Sequence, residues 1–270
     1  KQLKKIVNIY QPTYKNHYCQ GFGDYLRGSF FLLQFCLYNN IEFDMNYQTH
    51  NISKYIKNKS PLKYSIDHKN INYYHPDNID KSSVKFYFEF IQFMNHTSTN
   101  TLCMFFNNIP VFKIGNRQRN IIKDKFIPTE EILKKIEENL KLLGLEKKKF
   151  SVLHLRCGDK YMSFQENPPK ELINKIETIL PKDKQSYLVI ADNGGIKKYL
   201  TKYPNFKSLD INITHSAQNK DGVFDTIVDF FMMTQSVSII SCSPYLHGTG
   251  FSKYAAEIYD IPYKNFTIPV

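Results

Sequence analysis

What the 270 residues lack narrows the field first. No apolar stretch exceeds the nine residues from Phe30 to Tyr38, and that one is interrupted by Gln34. A membrane-spanning helix needs about 20, so no transmembrane segment is expected. The five cysteines, at positions 19, 36, 103, 157 and 242, are an odd number without a CxxC spacing. That disfavours a zinc site and a disulfide framework, and a reducing, cytoplasmic setting is expected, with an upstream signal or anchor left open because the chain opens on Lys1. None of the 14 aspartates lies two residues from another, and HExxH, GxxxxGK and GxSxG are all missing; metal-assisted chemistry and a resident cofactor are not expected. Arginine is scarce as well. Only Arg27, Arg117, Arg119 and Arg156 stand against 32 lysines, and lysine cannot offer the planar fork that matches a phosphate or carboxylate. An arginine retained in so lysine-rich a chain is expected to have a geometric task.

What is present describes a globular chain. With 42% hydrophobic and 15% aromatic residues, it can bury a core and is long enough for two modest domains. Net charge is uneven, +10 over residues 1–150 and +1 over residues 151–270. The lysines of the first half are scattered among asparagines and read as a solvated face. The 19 Tyr and 21 Phe follow core patterns rather than a basic stripe, so no nucleic-acid partner is expected.

Along the chain, Lys5 to Tyr10 reads as a strand, followed by a glycine loop at 21–24. The apolar spacing of Leu26, Phe30, Leu33 and Leu37, widened by Phe31 and Phe35, then predicts a buried helix. Residues 41–82 read as short strands and long loops, and Phe86 to Met94 as a core aromatic run. Thr129 is expected to cap a helix reaching Leu143, stopped by Gly144. The second half alternates regularly: strands at 150–155, 186–191 and 237–242, helices at 169–180, 196–203, 225–235 and 250–259. That order predicts an α/β fold with a parallel sheet wound on both faces, its ligand edge at the carboxyl ends of the strands. Two domains are expected, 1–148 and 149–270.

Four constellations carry candidate chemistry. His154 and Arg156 alternate outward at the end of a strand, in the run to Asp159; a forked cation there suits a diphosphate, whereas the plainer alternative has Arg156 pairing with Asp159 and His154 as a satisfied core histidine. Gly248, Thr249, Gly250, Phe251 and Ser252 open the last helix and can present amide N–H groups to an anion, or form an ordinary turn. Asp225 and Asp229 share a helix face, where a carboxylate can accept the N1 and N2 hydrogens of guanine, or simply be solvated. In the first half, Gly21 and Gly23 precede Asp24 and Arg27; Asp24 is a candidate general base and Arg27 its partner or a sugar or phosphate ligand, the alternative being a cap and a local ion pair.

The pattern resembles the GT-B fucosyltransferase superfamily, which includes α1,2-, α1,6-, nodulation and protein O-fucosyltransferases. An HxRxxD appears as His154 to Asp159, a strand ending in an acid as Ile190-Ala191-Asp192-Asn193, and a Ser-Phe-Ser-like turn as Thr249 to Ser252; the glycine loop at 21–28 is the fourth segment. The resemblance implies two facing Rossmann-like domains, an acceptor-side first and a donor-binding second. It also implies inverting, metal-independent transfer of fucose from GDP-fucose to a hydroxyl of a glycan or glycoprotein. Carried over by position, Arg156 is the β-phosphate ligand, Asp229 the guanine-reading acid, His154 the histidine beside the nucleotide, and 249–251 the diphosphate turn; Asp159, Asp192 and Ser252 fall in the same motifs. Cys157 stands where α1,2 and α1,6 members carry a second arginine, and Ala191 replaces the usual threonine. Asp24, Lys160 and Glu166 stay open as the base. A transferase using another GDP-sugar, or a non-catalytic nucleotide- or carbohydrate-binding module of the same fold, are the alternatives.

Overall fold

The computed structural model describes residues 3–10, 13–14, 17–18, 21–57, 71–73, 84–95, 101–105, 111–158, 161, 166–209, 222–245 and 248–268. They form two compact units, Lys1–Ile127 and Pro128–Val270.

The first unit runs β1 (Lys5–Ile9), β2 (Thr13–Tyr14), β3 (His17–Tyr18), α1 (Phe22–Asn39), β4 (Glu42–Asn46), β5 (Ile56–Lys57), β6 (Ile71–Tyr73), α2 (Val84–Asn95), β7 (Thr101–Phe105), α3 (Asn116–Lys125) and β8 (Ile127–Pro128), the last reaching the boundary. Its main sheet is parallel, in the order β4-β1-β7-β6. Of the expected stripe of α1, Leu26, Phe30, Phe31 and Leu33 are buried and Phe35 and Leu37 half-buried, and the helix ends as Asn40 turns left-handed and returns its N–H to Cys36. A polar pair locks helix to sheet: buried Asn8 donates to Ser29 Oγ at 2.9 Å, and the Tyr25 hydroxyl donates to the Asn8 carbonyl at 3.1 Å. The aromatic run at 86–94 is the helix α2, and only part of it is core: Phe90 is buried, whereas Phe88 and Ile91 are exposed.

The second unit runs α4 (Glu130–Leu143), β9 (Ser151–Leu155), α5 (Lys170–Ile179), β10 (Tyr187–Ala191), α6 (Gly194–Leu200), β11 (Phe206–Lys207), α7 (Val223–Met233), β12 (Ser238–Ser243), α8 (Gly250–Tyr259) and β13 (Tyr263–Thr267). The five strands are parallel, in the order β11-β10-β9-β12-β13. From β9 the chain winds outward through β10 and β11, then crosses to β12 and β13 on the other side. The switch in winding direction therefore falls between β9 and β12, and ligands of such sheets bind where the carboxyl ends of those strands part. β9 and β10 are buried along their whole length, as expected for strands covered on both faces.

Two sequence expectations need correction. The break lies after residue 127 rather than at 148, because α4 packs on α7 and the chain after it is fastened to the second unit. Asn139 reaches Met232, the Lys148 amide donates to the Gln235 carbonyl at 2.7 Å, and its ammonium bonds the carbonyls of Thr234 and Ser236. Gly144 closes the helix, and the segment after it is tied down. Thr129 does stand at the start of α4, yet its side chain makes no capping bond; Glu130 and Glu131 in the first turn supply the favourable charge instead.

Candidate functional site

Arg156 leaves the sheet at the switch point. Its amide donates to the Cys242 carbonyl of β12 at 2.9 Å, which aims the side chain from the edge between β9 and β12. The guanidinium Nη1 bonds Asp192 Oδ2 at 2.6 Å, and about a fifth of the arginine side chain, 21%, remains exposed. Asp192 directly follows β10 and is a clamp as much as a counter-ion. Its carboxylate also accepts the amides of Cys157 at 2.6 Å and Gly158 at 3.3 Å, so one acid fixes both the cation and the turn that carries it. Gly158 has φ +95°, and a β-carbon there would sit 3.1 Å from Pro244; glycine is required for the turn to close. Arg156 is thus paired with Asp192; Asp159, the partner that the plainer alternative named, lies outside the described residues, as does Lys160.

His154, one alternation earlier on β9, is buried. Its Nδ1 shares a 2.9 Å hydrogen bond with Ser252 Oγ in the first turn of α8, and its ring lies 5.8 Å from that of Phe251. Burial, with the Arg156 charge nearby, lowers its pKa to about 3, so the imidazole is neutral across the physiological range. It ties α8 to the sheet.

The turn before α8 is shaped by Gly248, which has φ +73° and lies so close to Asn265 that a β-carbon would come within 2.8 Å of its amide oxygen. Thr249 occupies the N-cap in an extended conformation without a capping side-chain bond. The opening amides of α8, at Gly250, Phe251 and Ser252, have no acceptor within the helix and stand at its positive end. Among these, Ser252 is fully buried and turned to His154; Gly250 and Phe251 are half-buried. Leu246 and His247 lie outside the described residues.

Asp225 and Asp229 lie one turn apart on α7. Burial raises both: Asp229 is pushed up to about 7, with Lys197 opposing and Asp225 adding to the rise, and Asp225 is raised against the pull of Lys135 and Lys197. Two further buried residues belong to α6 and its cap. One is Lys197 on α6. The other is Asn193, whose side chain caps α6 by accepting the Ile196 amide at 3.0 Å and donates to the Tyr161 carbonyl at 3.1 Å.

In the first unit, Gly21 caps α1 without a side-chain bond, Gly23 is buried, and Asp24 in the first turn pairs with Arg27 at 3.4 Å. Both partners keep some exposure, and the local ion pair foreseen as the plainer alternative is what forms. Glu166 is exposed. No group of three or more His, Cys, Asp or Glu among the described residues is placed to hold a metal ion.

No family model matches the chain, and no curated protein matches it. Solved structures do match. The NodZ α1,6-fucosyltransferase soaked with GDP-fucose superposes with a TM-score of 0.58 at 11% identity, covering 95% of this chain and 93% of that one. Fucosyltransferase NodZ from Bradyrhizobium gives 0.56 at 10%, covering 94% and 92%. A variant of Arabidopsis thaliana FUT1 in complex with GDP gives 0.58 at 11%, covering 100% of this chain and 71% of that one. The fold is therefore a two-unit α/β fold of the GT-B fucosyltransferase type. No helix among the described residues is long and apolar enough to cross a membrane.

Proposed function

We propose that the chain is a glycosyltransferase that moves fucose from GDP-fucose to a hydroxyl of a glycan or glycoprotein, with inversion and without a metal or resident cofactor. The observation that carries this reading is Arg156, braced by Asp192 yet partly exposed at the switch point, on the strand next to the one that leads into the amino end of α8. The likeness in fold to fucosyltransferases, two of them solved with GDP-fucose or GDP, supports the choice of donor.

On this reading the diphosphate lies at the carboxyl ends of β9 and β12. Arg156 and the amides at 248–252 stabilise the negative charge that grows on GDP as the anomeric bond breaks, and at such a site no other effect is expected to lower the barrier more. Because the pair with Asp192 fixes the guanidinium before the donor arrives, little ordering cost remains to be met on binding. Asp229 takes the N1 and N2 hydrogens of guanine, for which it must be ionised; Lys197 favours that form against burial. The second unit is then the donor domain and the first the acceptor domain, with Asp24 as the base that deprotonates the acceptor hydroxyl. His154, Ser252 and Asp192 act by holding these groups in place. A non-catalytic nucleotide-binding module draws on Cys157, which supplies a thiol where a second fork would double the grip on the diphosphate.

Thermal shift with a panel of nucleotide sugars, followed by a GDP-release assay with glycan acceptors, tests the proposal. GDP-fucose is expected to stabilise the protein most and to release GDP only with acceptor present. Stabilisation by GDP without release under any acceptor supports the module instead, and a larger shift with another GDP-sugar reassigns the donor.

A further inference from the structure

Two of the chain's four arginines, Arg117 and Arg119, lie outside the site described above, on α3. That helix buries only Ile122 and otherwise shows a basic surface: Lys113 just before it, Arg117 and Lys123 are exposed, and Arg119 is partly so. Over residues 111–125 Asp124 is the single acid, and the net charge is +3 once Lys125, which bonds buried Asp44 at 2.7 Å, is set aside. The acids of β4 do not offset it, since Lys5 holds both Glu42 and Asp44 and Lys125 holds Asp44 as well.

Aromatic side chains stand out beside this charge. α1 packs against α3, and Gln34 of α1 grips the backbone of Phe112: its amide nitrogen donates to the Phe112 carbonyl at 3.2 Å, and its oxygen accepts the Phe112 amide at 3.1 Å. With both backbone groups held and Ile114 buried two residues on, the Phe112 ring is fixed in place and 63% exposed. Tyr38, one turn beyond Gln34 on the same face of α1, is 91% exposed.

We propose that Tyr38, Phe112 and the cations of α3 form a docking surface for a membrane leaflet rich in anionic lipid. Tyrosine rings settle at the level of lipid headgroups, and a phenylalanine gains by leaving water. Lysine and arginine are drawn to a negative leaflet, each adding about fivefold in affinity, and the guanidinium fork suits lipid phosphates. An acidic protein would satisfy the charge as well, but protein interfaces bury their aromatic anchors in fitted pockets. A tyrosine as exposed as Tyr38 projects instead, which suits insertion among headgroups.

The surface does not depend on the donor reading and lies away from the candidate base. α1 follows β1 and leads into β4, its parallel neighbour, so it runs from the carboxyl edge of the first sheet back to the amino edge. Asp24 stands in its first turn and Tyr38 near its end, about 20 Å apart along the helix. Docking through Tyr38 and Phe112 leaves the carboxyl edge directed away from the lipid.

The chain contains no tryptophan, so Phe112→Trp supplies a single fluorescent reporter. With phosphatidylcholine vesicles containing about a third phosphatidylserine, at about 0.1 M salt, the protein is expected to co-sediment and its emission to shift to the blue. Neither is expected with phosphatidylcholine alone, and about 1 M salt should release the protein. Arg117→Glu with Lys123→Glu should weaken binding at least about twentyfold, and Tyr38→Ser with Phe112→Ser at least about tenfold, both with unchanged circular-dichroism spectra. Lys182→Glu with Lys184→Glu, an equal change of charge at exposed positions of the second unit, should weaken it less than about threefold. Equal losses in the two charge-reversed pairs, or co-sedimentation without a blue shift, overturn the proposal. Binding to neither kind of vesicle overturns it too, and points to an acidic protein as the partner.

Discussion

Replacing Asp229 by asparagine should separate folding from function in a way that few substitutions can. The half-buried carboxyl has its pKa raised from 3.8 to about 7, so the folded state holds a proton that the unfolded chain has released between those values. A group of this kind supports the fold fully below pH 4 and withdraws that support as pH rises through 7. At about 1.4 kcal/mol for each pH unit, the full displacement corresponds to about 4 kcal/mol; partial exposure and screening reduce this to about 2 to 4 kcal/mol. Asp229→Asn removes the ionisation while keeping the shape. It should leave stability unchanged at pH 4, raise it by about 2 to 4 kcal/mol at pH 8, and abolish measurable GDP binding, because a neutral amide presents only one acceptor to two guanine hydrogens. Urea unfolding at the two pH values, with calorimetry at the higher, reads all three. A variant less stable than the parent at pH 8 would show that the carboxylate is a net stabilising partner and refute the burial argument. A variant that binds GDP normally would remove the residue from base recognition.

Other substitutions probe other parts. Arg156→Lys keeps the charge but loses the fork, and should cost at least about a hundredfold in kcat/KM with an unchanged circular-dichroism spectrum; near-normal turnover would remove the centre of the proposed mechanism. Asp24→Asn should lower kcat by at least about a hundredfold if the carboxylate takes the acceptor proton, and an unchanged kcat clears it of that role. Gly248→Ala forces a side chain into a left-handed backbone and against Asn265; it should lower stability by about 1 to 3 kcal/mol and weaken GDP binding, and a wild-type melting curve would show that the turn is not strained there.

The elements that sequence alone reveals are those with long, uninterrupted periods. The apolar spacing of α4 and its left-handed Gly144 stop, and the alternation of β9, β10 and β12 with helices between them, are local patterns that tertiary packing has no reason to override. β13 does not show because its YKNFT run is half polar on a flank strand, nor does α3, because only Ile122 of its residues is buried. At the site, scarcity draws attention to Arg156 and the glycines mark the turn before α8. The bracing stays hidden: Asp192 meets Arg156 across 36 residues of chain and takes two more bonds from backbone amides, which no side-chain pattern advertises. Lys197 looks like one lysine among 32, and only its burial beside two acids sets it apart.

Because the cation is steadied by Asp192 at the end of β10 while the acid proposed to read the base belongs to α7, the grip on phosphate and the choice of nucleobase hang from different elements of the second unit. An engineer could exchange the α7 segment for one suited to a different purine without loosening the hold on the leaving group, and could thereby obtain new donor preferences from the same scaffold.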